Sequence, residues 1–312
     1  MLIAQSEKGQ LVDSRHYHKK KEELFCPSCH QAVVFRKGKV KISHFAHKAH
    51  SCCTSFSEGE TKEHLQGKLL LEQWFPGGEL EAYLPKLKQR PDLLLKKMPI
   101  EVQCSPLPIK RFMQRNQNYL AYGYYPWWLL GEKLAPKRHF GPIQKGSTYF
   151  YHGCLCLWLI RPFKKELCLL YDIKWHYHFG MSYQIINWSA FETIKLDFSQ
   201  QQNGFLWKAQ DYRYFIYRKL ADKNIRTIRL QEKLYFIHLT VQDLPDWCYL
   251  PSFFHFFFED DLLFLRACFI KASDFNHWLQ MIKGLEHVWL YPFISQKKVL
   301  WQLYQECRKL CC

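Results

Sequence analysis

The chain has 312 residues, 48% of them hydrophobic, which suffices for two or three units with at least one sizeable core. Its 44 Lys and Arg outnumber 28 Asp and Glu, leaving a formal charge of +16 and a pI near 9.2. That excess attracts polyanions, either nucleic acid or an anionic membrane surface; the 17% aromatic content favours the former, because rings between cations stack bases while the cations hold phosphates. The opening MLIAQSEKGQ reaches a charge at its seventh residue and builds no apolar centre, so a secretion signal is not expected. The longest apolar stretches, Phe253 to Phe258 and Leu262 to Ile270, are broken by Glu259, Asp260, Asp261 and Arg266, well short of the roughly 20 residues of a spanning helix. The 13 cysteines, mostly scattered through apolar segments, suit reduced thiols. A soluble, cytoplasmic protein is expected.

In chain order, residues 1 to 57 read as short alternating strands: Leu2-Ile3-Ala4, then Ala32 to Phe35, a Lys37-Gly38-Lys39 turn, and Val40-Lys41-Ile42. Such strands hardly bury a core unaided. Cys26-Pro-Ser-Cys29 and His44-Phe-Ala-His47 flank this hairpin and offer two thiolates and two imidazoles, a tetrahedral zinc set whose folding free energy would come from the metal. The histidine pair is one residue tighter than usual zinc-finger spacing, so His50, Cys52 or Cys53 are alternative ligands.

A helix is predicted from 58 to about 75, with Ser57 as cap, Leu65, Leu69, Leu70 and Trp74 at helical spacing, and Pro76-Gly77-Gly78 as its stop. Strands follow at Leu80 to Leu84, Arg90 to Leu95 and Ile100 to Cys104, then a helix from Ile109 to Tyr122 and a buried strand from Trp127 to Leu130. Residues 58 to 135 thus form a unit ordered helix, strand, strand, strand, helix, strand. Residues 136 to 312, with the aromatic-rich Tyr149 to Leu159, a basic helix at Tyr212 to Leu234 and amphipathic stretches from Phe275 to Leu310, are assigned by exclusion to a mainly helical region. The fold class is therefore mixed α+β or α/β.

The candidate chemistry sits on one hairpin. An even-length turn at Lys96 to Pro99 puts Asp92, Glu101 and Gln103 on one face, with Leu93, Leu95, Ile100 and Val102 on the other. Hydrolysing a phosphodiester needs a polarised phosphoryl group, an activated water and charge neutralisation, which Mg²⁺ or Mn²⁺ held by Asp92 and Glu101 can supply. On the preceding helix, Glu60, Glu63, His64, Gly67 and Lys68 form one polar stripe able to face a metal and a phosphate; alone, it would read as an ordinary solvated face. Arg115 and Tyr119, one turn apart on the next helix, either hold phosphate and sugar or brace the carboxylates. Cys104 reads as a packed strand residue rather than a nucleophile.

Together these motifs resemble the competence protein CoiA family: Cys26-Pro-Ser-Cys29, His44-Phe-Ala-His47, Glu63-His64-x-x-x-Lys68, Arg90-Pro91-Asp92, Ile100-Glu101-Val102-Gln103-Cys104-Ser105, and Arg115-x-x-x-Tyr119 leading to Trp127-Trp128-Leu-Leu-Gly131. The resemblance covers residues 1 to about 131. It implies a zinc-ribbon-like module at 1 to 57, a restriction-endonuclease-like PD-(D/E)xK core at 58 to 135, and a role in natural transformation, promoting recombination of incoming single-stranded DNA. It makes Asp92 and Glu101 metal ligands, Glu63 a possible helix contribution, and Gln103 the counterpart of the superfamily's lysine. Neutral Gln103 can orient water but cannot offset negative charge; Lys68 or Lys110 would have to. Three functions compete: a Mg²⁺-dependent deoxyribonuclease, a non-catalytic factor that grips DNA or recruits recombination proteins, and a protein peripherally bound to an anionic membrane. No nucleotide loop of the G-x-x-x-x-G-K-S/T form occurs, so an ATP-driven motor of that class is not supported.

Overall fold

Short alternating segments at the start of the chain pair into a small antiparallel sheet. In the computed structural model, which describes residues 1–18, 22–37, 42–48, 61–189, 207–283 and 289–311, its strands are β1 (Ile3–Ser6), β2 (Leu11–Asp13), β3 (Leu24–Phe25), β4 (Ala32–Arg36) and β5 (His44–His47). They lie in the order β2-β1-β3-β4-β5. Met1, Ala4, Leu24, Cys26, Val33 and Phe45 are its buried core. That core is too small to outweigh much chain entropy by itself. Of the strand expected at Val40 to Ile42, residues 40 and 41 lie outside the described residues.

Helix α1 (Lys62–Trp74) begins at Thr61, whose hydroxyl accepts a hydrogen bond from the His64 N–H at 3.1 Å. Thr61 thus takes the role expected of Ser57, which lies outside the described residues. Then come β6 (Glu79–Leu80), β7 (Leu93–Leu95), β8 (Met98–Gln103), helix α2 (Ile109–Ala121) and β9 (Trp127–Leu130), in the predicted order. The hairpin turn is two residues, Lys96 and Lys97, not four. Both lengths are even, so the pairs Leu93↔Ile100 and Leu95↔Met98 keep the expected odd sums. Strands β8 and β9 run parallel, which requires a crossover, and α2 provides it. Alternation along these strands splits the core. Ile100, Val102 and Leu129 pack with Leu70 and Leu71 of α1, whereas Trp128 and Leu130 join Phe112 of α2.

The sheet continues where a mainly helical region was expected. After the short helix α3 (Pro142–Gly146) come β10 (Thr148–Tyr151), β11 (Cys154–Arg161), β12 (Glu166–His176) and β13 (Gly180–Trp188), giving eight strands in the order β13-β12-β11-β9-β8-β7-β6, with β10 also on β11. Strand β11, Cys-Leu-Cys-Leu-Trp-Leu-Ile-Arg, is buried almost throughout and shows no polar alternation. A strand covered on both faces loses the period-two signal, so its sequence does not announce it. The expectation for 136 to 312 fits from residue 209 onward, where α4 (Ala209–Ala221), α5 (Ile225–Tyr235), α6 (His255–Phe258), α7 (Leu262–Lys271), α8 (Phe275–Ile282) and α9 (Gln296–Cys311) contribute to the largest apolar core.

Candidate metal centre and carboxylate site

The Cys26-x-x-Cys29 turn and strand β5 bring three ligands together: Cys26, Cys29 and His47 place their ligand atoms within 4.8 Å of one another. Cys29 Sγ lies 3.4 Å from His47 Nε2. Burial raises the proton affinity of Cys26, but the Cys29 and Ser28 backbone N–H groups and the Arg90 charge outweigh it and hold its thiol below its ordinary value. Two thiolates and an imidazole so placed suit a structural metal. His44 does not join them. It stands three positions from His47 on one strand, and an odd separation puts it on the opposite face, where its Nδ1 lies 2.8 Å from the Ile42 carbonyl oxygen. The alternatives His50, Cys52 and Cys53 lie outside the described residues.

The second site forms where the end of β8 meets α1 and α2. Asp92 sits in the bend before β7, and its Oδ2 accepts the Val102 N–H at 2.8 Å and lies 3.0 Å from His64 Nε2. Its Oδ1 lies 3.0 Å from Lys68 Nζ. Burial alone would raise its proton affinity. The His64 and Lys68 charges and these hydrogen bonds win, holding the carboxyl well below the usual carboxylate range. Lys68 is therefore no part of a solvated face: it is buried, and its Nζ also reaches Glu81 Oε1 at 2.8 Å. Gly67 lets α1 approach this closely, since a Cβ there would meet Val102 Cγ1 at 3.0 Å.

Glu101 faces α2 instead. Its Oε1 accepts a 2.6 Å hydrogen bond from the Tyr119 hydroxyl and a hydrogen bond from the Arg115 guanidinium, while Oε2 accepts none from the described residues. Burial pushes the Glu101 carboxyl up to about 6; Arg115 opposes this and neighbouring Asp92 adds to it. Arg115 and Tyr119 both brace Glu101, and Tyr119 is fully buried. Gln103 Nε2 donates to the Ser105 carbonyl at 2.7 Å. Lys110 is exposed at the start of α2, away from these contacts. Glu63 Oε1 accepts the Glu132 N–H at 2.9 Å, pinning the segment after β9, and Glu60 lies outside the described residues. Burial pushes the Cys104 thiol up, as suits a packed side chain.

Spacing gave no hint of Glu81. This acid, at φ +52°, accepts the backbone N–H groups of Leu2 and Ile3 at 3.0 and 3.1 Å, and its Oε2 is 3.4 Å from Arg90 NH2. It ties the first strand of the small sheet to Lys68 and so to Asp92. Its one visible signal is an acid in the largely apolar run Leu80-Glu-Ala-Tyr-Leu84, a position that demands a partner.

A Cys/His module bound through buried charges to a mixed sheet with two buried carboxylates defines a mixed α/β protein with a candidate metal centre. Residues 9–56 match the model for the competence protein CoiA N-terminal domain, and residues 60–203 match that for the CoiA nuclease-like domain. Competence protein CoiA of Bacillus subtilis (strain 168) is 26% identical over 160 residues, 48% of this chain and 41% of that protein. The chain thus matches less than half the length of this curated relative. No solved structure matches. The chain belongs to the competence protein CoiA family. Among the described residues, no helix is long and apolar enough to cross a membrane.

Proposed function

We propose that this protein is a metal-dependent deoxyribonuclease of natural competence, with a PD-(D/E)xK-type core, acting on incoming single-stranded DNA and promoting its recombination. The observation that carries this reading is two buried carboxylates near enough for Asp92 to raise the proton affinity of Glu101, with Lys68 Nζ 3.0 Å from Asp92. Asp92 and Glu101 would hold Mg²⁺ or Mn²⁺, and the Glu101 Oε2, which accepts no hydrogen bond from the described residues, fits that use. Such an ion, when bound, polarises a phosphoryl oxygen and lowers the pKa of a water. Lys68 offsets the charge of Asp92 from behind, a part that neutral Gln103 cannot take. Arg115 and Tyr119 hold Glu101 in place. The Cys26, Cys29 and His47 group would take zinc as a structural ion.

Cleavage of labelled single- and double-stranded DNA, with and without Mg²⁺, tests this on wild type, Asp92→Ala and Glu101→Ala. Loss of Mg²⁺-dependent cutting in both variants is expected; equal cutting by all three proteins would reject it. A second reading, a non-catalytic factor that grips DNA or recruits recombination proteins, is favoured by one observation: Lys68, His64 and the Val102 N–H already satisfy Asp92. It predicts salt-sensitive DNA affinity with no turnover. Peripheral membrane association, if it occurs, would appear as pelleting with anionic vesicles at low salt.

A further inference from the structure

Beside the carboxylate pair, between the Leu84 to Gln89 turn and α2, lies a pocket of about 300 Å³. Among the described residues its walls carry four cations, Lys88, Arg90, Arg111 and Arg115, with the side-chain amides of Gln89, Gln114 and Asn118, and no acid. Arg90 is held from behind by Glu81 at 3.4 Å and Arg115 by Glu101. Those acids lie outside the described lining, whose charged groups are all cationic. Arg115 Nε is buried without a hydrogen-bond partner, a donor that an incoming oxygen would satisfy. Guanidinium groups with amides nearby are the donors that phosphate oxygens select.

We propose that this pocket binds a phosphate of the nucleic-acid strand, next to the position held at Asp92 and Glu101. The link between the two is a single side chain, since Arg115 lines the pocket and binds Glu101. The proposal rests on the nuclease reading for what the neighbouring carboxylates do, but the pocket's own occupancy is measurable without turnover. The phosphate is either an internal diester or a terminal monoester, and the pocket chemistry accepts both.

The test is fluorescence anisotropy of the full chain, without added divalent metal, on a short oligothymidylate labelled at its 3′ end and bearing a 5′-hydroxyl or a 5′-phosphate. Lys88→Gln with Arg111→Gln should weaken binding about fivefold to tenfold, and the log–log salt slope should shrink by about 0.7 for each phosphate that the variant no longer neutralises. Lys88 is exposed and Arg111 half-buried, and an unchanged thermal melt checks that the variant folds. Equal weakening of both oligonucleotides marks an internal diester; a wild-type preference for the 5′-phosphate that vanishes in the variant marks a terminal one. Unchanged affinity and slope would overturn the proposal. So would an equal loss from Arg226→Gln with Arg229→Gln on α5, because bulk charge would then account for the effect. Absence of DNA cleavage with this binding pattern intact would discard the nuclease reading and leave the pocket standing.

Discussion

Replacing Lys68 by Met tests whether the buried charges behind the carboxylate site form one unit. The Lys68 side chain is 1% exposed, as is that of Glu81, and its Nζ stands 2.8 Å from Glu81 and 3.0 Å from Asp92. Methionine keeps much of the volume but removes the cation, leaving two carboxylates facing a site without their shared partner. Breaking a buried pair in this way typically costs about 3–5 kcal/mol. Glu81 keeps Arg90 and two backbone N–H groups, and Asp92 keeps His64 and the Val102 N–H, so the lower end, about 3 kcal/mol, is expected. Glu81→Gln in the same background should cost less than it does alone, with a coupling of about 1–3 kcal/mol. Urea unfolding followed by tryptophan fluorescence measures both. The depressed Asp92 carboxyl stabilises the fold above its unfolded pKa, and this contribution is lost as pH falls below it. Without Lys68 the depression shrinks, so acid unfolding should begin at higher pH. A cost under about 1 kcal/mol, or strictly additive effects of the two substitutions, would refute this account.

The metal module makes a sharper claim about ligands than the sequence does. Purified protein should carry one equivalent of zinc, lost in Cys29→Ser or His47→Ala but kept in His44→Ala; zinc loss from the last would put His44 back in the set. Mn²⁺ binding at the carboxylates should weaken about tenfold per pH unit once Glu101 protonates below about 6, and titration calorimetry showing a flat affinity there would contradict it. The same raised value favours the fold when Glu101 is protonated, a contribution lost as pH rises through about 6. Tyr119→Phe removes a hydrogen bond to an ionised group, so it should cost about 1.5–3 kcal/mol and move the acid limb of metal binding to higher pH. A limb that stays in place would show that the hydroxyl does not tune Glu101.

Much of the nuclease-like unit is legible because its signals are local. The odd-sum register of the hairpin survives a wrong turn length, since only parity decides which side chains oppose each other. Helix α1 shows its apolar spacing, though its cap lies at Thr61 rather than Ser57. What the sequence hides is set by tertiary packing. His44 and His47 look like a ligand pair until strand geometry separates them. The Lys68 stripe looks solvated until Glu81, thirteen residues away, meets it in the interior. Strand β11 and the first half of β12 carry no alternation because both faces are covered, so they pass for part of a helical region.

Under the proposed reading the cation sits on the helix rather than the strand, and this changes more than its address. A lysine at 103 would share the α2 side of β8 with Glu101, whereas Lys68 approaches Asp92 from α1. Each carboxylate therefore has its own attendants: His64 and Lys68 for Asp92, Arg115 and Tyr119 for Glu101. Those different surroundings drive the two groups apart, Asp92 well below the usual range and Glu101 up to about 6. Neighbouring carboxylates with separated proton affinities can divide their work, one staying ionised while the other exchanges a proton near neutrality. Because Glu81 secures Lys68 and also holds the first strand of the Cys/His module, a disturbance at that module reaches Asp92 through only two side chains.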